Sequence, residues 1–340
     1  MEVYAGLDVG LKVTSVSVID AHGRVLWRGR ETSHPDALAR ALAPFGGRLA
    51  RAGMETGPLA PWLCRSLTEL GVPVVCMDAR RAAEAIRSRR IKTDRADAWA
   101  LAEMLRTGWY TPVHVKSRES QTWRSLLSAR EQLVRTKRDV SNQIRGLLRP
   151  FGIRIPARAG SANFDAAARE AVAGDPVLAP AVAALLDAMA RIDSDLAELD
   201  ALVREQARRS WVCWRLMGVP GVGPVTALAF VATIDDVDRF GRARDVGVYL
   251  GLTPRHYQSG DIDRALGMSR QGDETARHYL YEAANALLSV VRRSSDLKRW
   301  GHQVRRRRGA KRARVAVARK MACIMMRLWR DGTHFNAAHA

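Results

Sequence analysis

Three strand-like runs in the first 29 residues constrain the fold more than anything that follows them. VYAGLDVG (Val3 to Gly10) is an apolar run of the kind a buried strand makes. TSVSVID (Thr14 to Asp20) alternates with period two, and His22-Gly23 turns the chain into RVLWRG (Arg24 to Gly29). Behind this meander, Ser33 and Pro35 start a helix that runs to about Ala43, and a short strand ends at Met54-Glu55. A helix from about Leu59 carries Leu63, Leu67 and Leu70 to a stop at Gly71; VPVVCMD (Val72 to Asp78) is another strand, followed by helices from Ala79 and from Asp94. Three antiparallel strands feeding two strand-helix crossovers is the order of the ribonuclease-H-like fold, a mixed sheet flanked by helices. The actin-like ATPase and sugar-kinase fold begins in the same order.

From Glu119 to Leu148 the pattern changes to one long helix, with Leu126, Leu133, Val140 and Leu147 spaced seven apart and Pro150 and Gly152 ending it. A second long helix, from about Pro180 to Arg209, spaces Leu185, Met189, Ile192, Leu196, Leu199 and Val203 by alternating steps of four and three, the seam of a coiled coil. The two can pair as a hairpin within one chain or as an interface between chains. Beyond Trp211 the chain is mostly helical. With 340 residues, more than one core usually holds, we expect a sheet domain at 1–116, a coiled-coil and linker region at 117–209, and a helical domain at 210–340.

The chain carries 55 Lys and Arg against 35 Asp and Glu, a formal charge of +20. Residues 291–330 hold fifteen of those cations and a single acid, Asp296. Such clustering fits a polyanion whose counterions are released on binding. No apolar run reaches the ~18 residues of a spanning helix, and the N-terminus lacks a secretory signal, so no membrane partner and a cytoplasmic location are expected. Cys64, Cys76, Cys213 and Cys323 lie far apart among apolar neighbours, which reads as ordinary buried thiols and no metal centre.

Four acids fall where chemistry can use them. Asp8 sits inside an apolar strand, where a charge is costly unless paired or bound to a metal. Glu55 ends a neighbouring strand, although RLARAGME is less apolar than a central strand should be. Asp94 and Asp97, in KTDRADA, fit a capping arrangement at a helix start. The same spacing sets two carboxylates on one face, where they can share a hard cation. Together the four suit a two-metal site with ions roughly 3.5–4 Å apart, the arrangement that activates an attacking oxygen and stabilises a leaving one in phosphodiester cleavage.

Further along, MGVPGVGPVTA (Met217 to Ala227) looks like a helix-hairpin-helix element, with Gly221 and Gly223 allowing the backbone to approach a phosphate; an ordinary Gly-Pro turn is the competing reading. RRRRGAKRAR places Arg305, Arg306, Arg307, Arg308, Lys311, Arg312 and Arg314 in ten residues without an acid, a run that repels itself unless a polyanion neutralises it. In TPRHYQSGD, Arg255 is a further candidate phosphate contact, while Ser259 before a glycine is by itself a turn residue with no evident base beside it.

In this order, GLDVG, METG, KTDRADA, GVPGVGPVTA and GLTPRHYQSG resemble the motifs of the DEDD insertion-sequence transposases of the IS-one-ten type, bridge-RNA-guided recombinases. The resemblance covers nearly the whole chain. It implies a RuvC-like N-terminal domain whose acids, aligned with Asp8, Glu55, Asp94 and Asp97, bind Mg²⁺. It also implies a C-terminal domain whose serine, aligned with Ser259, attacks DNA to form a covalent phosphoserine; Ser269, in GMSRQGD, is the alternative. The implied partners are donor and target DNA, a structured guide RNA, and further copies of the chain as a dimer or tetramer. Two readings stand beside it: a Holliday-junction nuclease that uses the acids with water, and a nucleic-acid-binding assembly protein without catalysis.

Overall fold

The first strand of the chain is the central strand of its sheet. In the computed structural model, which describes residues 1–78, 94–155, 161–259, 262–269 and 271–337, β1 (Val3–Val9) lies between β2 (Val13–Asp20) and β4 (Leu49–Glu55), with β3 (Val25–Thr32) and β5 (Val74–Met77) at the edges. β1 to β3 pair antiparallel in sequence, whereas β4 runs parallel to β1 and β5 parallel to β4. The order 3-2-1-4-5 follows from the chain's local signals: short turns force antiparallel neighbours, and helical crossovers return the later strands in parallel. This is a ribonuclease-H/RuvC-like mixed sheet. It belongs to the first of two compact units, Met1–Lys116 and Ser117–Ala340.

Helices α1 (Pro35–Leu42) and α2 (Ala60–Glu69) share one core with the sheet through Leu38, Leu42, Leu63 and Leu67, all essentially inaccessible to solvent. Helix α3 (Asp94–Thr107) packs on the sheet with Ala98, Leu101, Ala102, Met104 and Leu105 buried. Each fully buried leucine or methionine there is worth about 1.5–3 kcal/mol. The helix expected from Ala79 lies outside the described residues, and Asp94, expected as an N-cap, is the first described residue of α3.

β4 is poor in large apolar residues for a reason that the sequence hides. Gly53 faces Leu105 and Met77 so closely that a Cβ would stand 2.8 Å from a carbon of each. The bulk that fills this part of the core is supplied by the helix and by β5, and β4 stays small to admit it.

The second unit is built on two long helices, α4 (Arg118–Leu148) and α6 (Leu178–Arg209), joined through α5 (Ser161–Val172). Trp123 Nε1 donates to Gln206 Oε1 at 3.4 Å, Arg130 pairs with Asp200 at 2.6 Å, and Lys137 pairs with Asp193. Partner numbers fall on one helix as they rise on the other, so the helices form an antiparallel hairpin within the chain. The buried positions are Trp123, Leu127, Ile144 and Leu148 on α4 and Val182, Leu186, Met189, Val203 and Ala207 on α6. The heptad stripe of Leu126, Leu133, Val140 and Leu147 is only half-buried and flanks the contact line. At the tip, Ile144, Leu148, Phe164, Val182 and Leu186 form a small core of their own.

At the base, Trp123, Leu127, Val203 and Ala207 join the main core of the unit. That core is completed by α7 (Trp211–Leu216), α8 (Pro224–Ile234), α9 (Asp245–Tyr249), α10 (Glu274–Ser289), α11 (Asp296–Arg308) and α12 (Ala310–Arg330). A two-stranded hairpin, β6 (Pro254–Ser259) with β7 (Ile262–Met268), precedes α10.

Candidate active site

One close approach brings acids together in the first unit. A Cβ at Gly6 would lie 1.9 Å from the carbonyl oxygen of Ala98 and 2.6 Å from the amide nitrogen of Ala102. Only a glycine on the strand lets α3 rest directly on the backbone of β1, and Ala98 and Ala102, four apart, present the small face that fits it. Gly6 is two residues before Asp8 and Ala98 is one after Asp97, so this contact sets the helix acid beside the strand acid.

The electrostatics record the crowding. Burial pushes the half-buried Glu55 carboxyl above its usual range, and the charges of Asp8 and then Asp97 push it further. Asp97 Oδ1 is buried with no hydrogen-bond partner among the described residues. A buried carboxylate oxygen without a donor, next to like charges, is costly unless a cation compensates it. A hard divalent ion takes oxygen ligands of this kind, so the residues fit such an ion. Asp94 is the first described residue of α3, one helical turn before Asp97. Among the described residues, no group of three or more His, Cys, Asp or Glu side chains stands at ligating spacing.

Ser259 is the last residue of β6, paired in register with Ile262 across the β6–β7 turn. It therefore lies at the tip of a hairpin in the second unit, while the acids lie in the first. Ser269 follows β7, and its amide donates to the Thr253 carbonyl at 2.8 Å, closing the open end of the same hairpin.

The glycine-rich turn connects α7 to α8. Gly221 has φ +91° and a Cβ there would strike the Ala283 carbonyl of α10 at 2.5 Å, so packing alone demands a glycine. Gly223 precedes Pro224 at the start of α8 and has open space around it. Arg255, Arg305, Arg306, Arg307, Arg308, Lys311 and Arg312 are exposed, whereas Arg314 is half-buried, sitting over the Tyr281 ring and donating to its hydroxyl at 3.2 Å. Gly309 separates the C-terminal end of α11 from the start of α12, which has no acid in its first turn. Cations suit the end of α11 but not the beginning of α12, where the helix dipole is positive, so Lys311 and Arg312 add to a positive potential that no local acid relieves.

Family models match two stretches of the chain: DEDD_Tnp_IS110, described as a transposase, at residues 5–152, and Transposase IS116/IS110/IS902 family at residues 213–300. The transposase for insertion sequence element IS1111A of Coxiella burnetii is 30% identical over 328 residues, covering 95% of this chain and 88% of that one. A probable family 20 transposase of Pseudomonas aeruginosa is 30% identical over 330 residues, covering 95% of each. The chain belongs to the IS110-type transposase family. Among solved structures, T. thermophilus RuvC in complex with a Holliday junction substrate matches with TM-score 0.27 and 18% identity over 33% of this chain and 100% of that one.

The first matched stretch contains all four acids, and the second contains Gly221, Gly223, Ser259 and Ser269, while the basic run from Arg305 lies beyond both. No helix among the described residues is long and apolar enough to cross a membrane. Cys64, Cys76 and Cys213 are buried and Cys323 half-buried. The positioning role of Gly6, Ala98 and Ala102 was missed in the sequence, although the four-residue spacing of alanines in ADAWALA was its signal.

Proposed function

We propose that this transposase cuts and rejoins DNA strands with Asp8, Glu55, Asp94 and Asp97 holding two Mg²⁺ ions, with Ser259 as the nucleophile and with a bridge RNA pairing donor and target DNA. The observation that carries the reading is the crowding of Glu55 by Asp8 and Asp97 around an Asp97 oxygen that has no donor among the described residues. Bound divalent cations would supply charge neutralisation at the phosphodiester and at the oxygens that attack it and leave it.

The rest falls to the chain. Ser259 Oγ bonds to phosphorus as the bond to the leaving strand oxygen breaks; the serine proton is lost and the leaving strand takes up a proton as a hydroxyl. The phosphodiester is conserved in the covalent link, so a hydroxyl of another strand can displace the serine and restore it to Oγ–H, whereas water would end the reaction. Gly223 and the exposed cations of α11 and α12 contact phosphates, and pairing with RNA relieves the protein of reading bases itself. Half-exposed Leu133, Val140, Ile192, Leu196 and Leu199 along the hairpin suit assembly of a dimer or tetramer by coiled-coil contacts. Residues 117–209 would act as the connecting region, 210–340 as the domain that delivers the serine, and the nucleoid would be the place of action.

The competing reading, a junction nuclease that uses the acids with water, draws support from the acids lying in one unit and Ser259 in the other. The two separate on one gel. Protein incubated with Mg²⁺, guide RNA and labelled DNA gives a denaturation-resistant adduct that disappears in Ser259→Ala and persists in Ser269→Ala. Cleavage without any adduct in the unaltered protein sinks the serine mechanism.

A further inference from the structure

We infer that Trp211, Trp214 and Arg215 form a stacking platform for the unpaired bases of a DNA strand. The inference rests on the strand-cutting reading above, because moving a strand between duplexes leaves nucleotides without partners.

Trp211 and Trp214 are three apart on α7 and keep 60% and 61% of their surface exposed. Trp123, in the core that also takes Val212, Cys213 and Leu216 of α7, is 7% exposed with its indole N–H bonded to Gln206, as a structural tryptophan is. Indoles bury more apolar area than any other side chain, so two left open on one short helix forgo the largest packing gain available there. The Arg215 guanidinium lies over the Trp211 ring, 4.8 Å from its centroid, and the His334 ring meets Trp214 edge-on at 5.7 Å and 87°. Both contacts fix ring orientation while leaving most of each indole accessible.

Charge selects the occupant. Arg208 and Arg209 end α6 immediately before this helix, with Arg209 paired to Glu205 at 2.6 Å. Nε and Nη1 of Arg215 are buried with no hydrogen-bond partner among the described residues, so positive charge lies directly beside the aromatic surface. Cations interleaved with exposed aromatic rings match a single strand, whose bases stack while its phosphates are held electrostatically. A duplex offers no free base face to such rings, and an apolar protein partner would leave the arginines unpaired.

The test measures binding of the full chain to three probes by fluorescence anisotropy: an oligothymidylate and an oligouridylate of about 12 nucleotides, within the span of known single-strand sites, and a duplex. Each stacked base is worth about tenfold in affinity. Trp211→Ala/Trp214→Ala is expected to lose about a hundredfold on oligothymidylate, to keep its duplex affinity, and to keep the slope of log affinity against log salt, since no phosphate contact is removed. Trp211→Phe/Trp214→Phe recovers most of the loss, and unchanged melting of both variants excludes misfolding.

Unchanged oligothymidylate affinity in the alanine variant overturns the platform, as does a loss that duplex and single strand share. A loss confined to oligouridylate overturns the assignment to DNA, and a fall in oligomeric mass without a change in binding assigns the rings to a second copy instead. Failure of the parent reading looks different. There, neither probe binds the unaltered chain, and neutralising Arg305 to Arg308 changes nothing.

Discussion

Each unit holds partly buried acids, and Glu55 in the first is treated in the opposite way to Glu131 in the second. The sheet unit, residues 1–116, has 17 basic and 12 acidic residues, a net +5, yet it gathers acids at one partly buried place. The helical unit carries the remaining +15 and spreads most of it over exposed surface. Several half-buried charges of the helical unit are paired. Arg124 binds Asp273, which also caps α10 by accepting from the Ala276 amide at 2.8 Å. Arg130 joins Asp200 and the Tyr279 hydroxyl, and that hydroxyl donates to Glu131 at 3.0 Å. Although burial opposes it, hydrogen bonds from Tyr279 and Arg135 hold the Glu131 carboxyl below its usual range. Burial at Glu55 is joined by the negative charges of Asp8 and Asp97, and its carboxyl moves the other way. Paired charge of the first kind serves architecture, whereas like charges forced together make a site that wants a cation.

The contrast breaks most visibly at Gly6. Gly6→Val pushes a side chain into the α3 backbone, and we expect a loss of about 3 kcal/mol or more, read as early urea unfolding of the sheet unit while the helical unit keeps its own transition. Asp97→Asn separates stability from function. Removing one of the crowded charges should raise the melting temperature of the metal-free protein, while strand exchange falls by at least about a hundredfold; a variant that is both active and no more stable would refute the crowding.

Tyr279→Phe tests the paired side, with an expected cost of about 1 kcal/mol in chemical unfolding and no effect on Mg²⁺ dependence. The smallest effect is on pH. Because the folded protein holds the Glu55 proton more tightly than the unfolded chain, the contribution of that group to stability is complete below its unfolded pKa and is lost as pH rises through its folded one. Thermal melts of the metal-free protein across that window should show the decline, and Mg²⁺ should remove it.

The strand order was legible because alternation, apolar runs and turn residues are local signals, and each of the five strands carried its own. The hairpin was legible as two helices, but its contact line was not. A heptad read along one helix marks a stripe without saying which side of it meets a partner, and Trp123, Leu127, Ile144 and Leu148 took the burial that Leu126, Leu133, Val140 and Leu147 suggested. Gly221 looked like a phosphate-binding glycine, and its first constraint proved to be α10, an element about sixty residues further along that no local pattern could announce. Ser259 has no physical signature in its neighbourhood at all. Trp211 and Trp214 look like core in the sequence, beside Val212, Cys213 and Leu216, whereas the fold leaves both exposed.

The contact between Gly6 and Ala98 leaves no slack. A helix seated on strand backbone at that distance cannot slide or tilt by a fraction of an ångström to bring its acid in and out of register; it is either docked or detached. A gentle adjustment of Asp8 against Asp97 is therefore a poor means of restraint. On the mechanism proposed above, restraint falls instead to what is brought to these acids, the DNA and Ser259, and so to the timing of assembly.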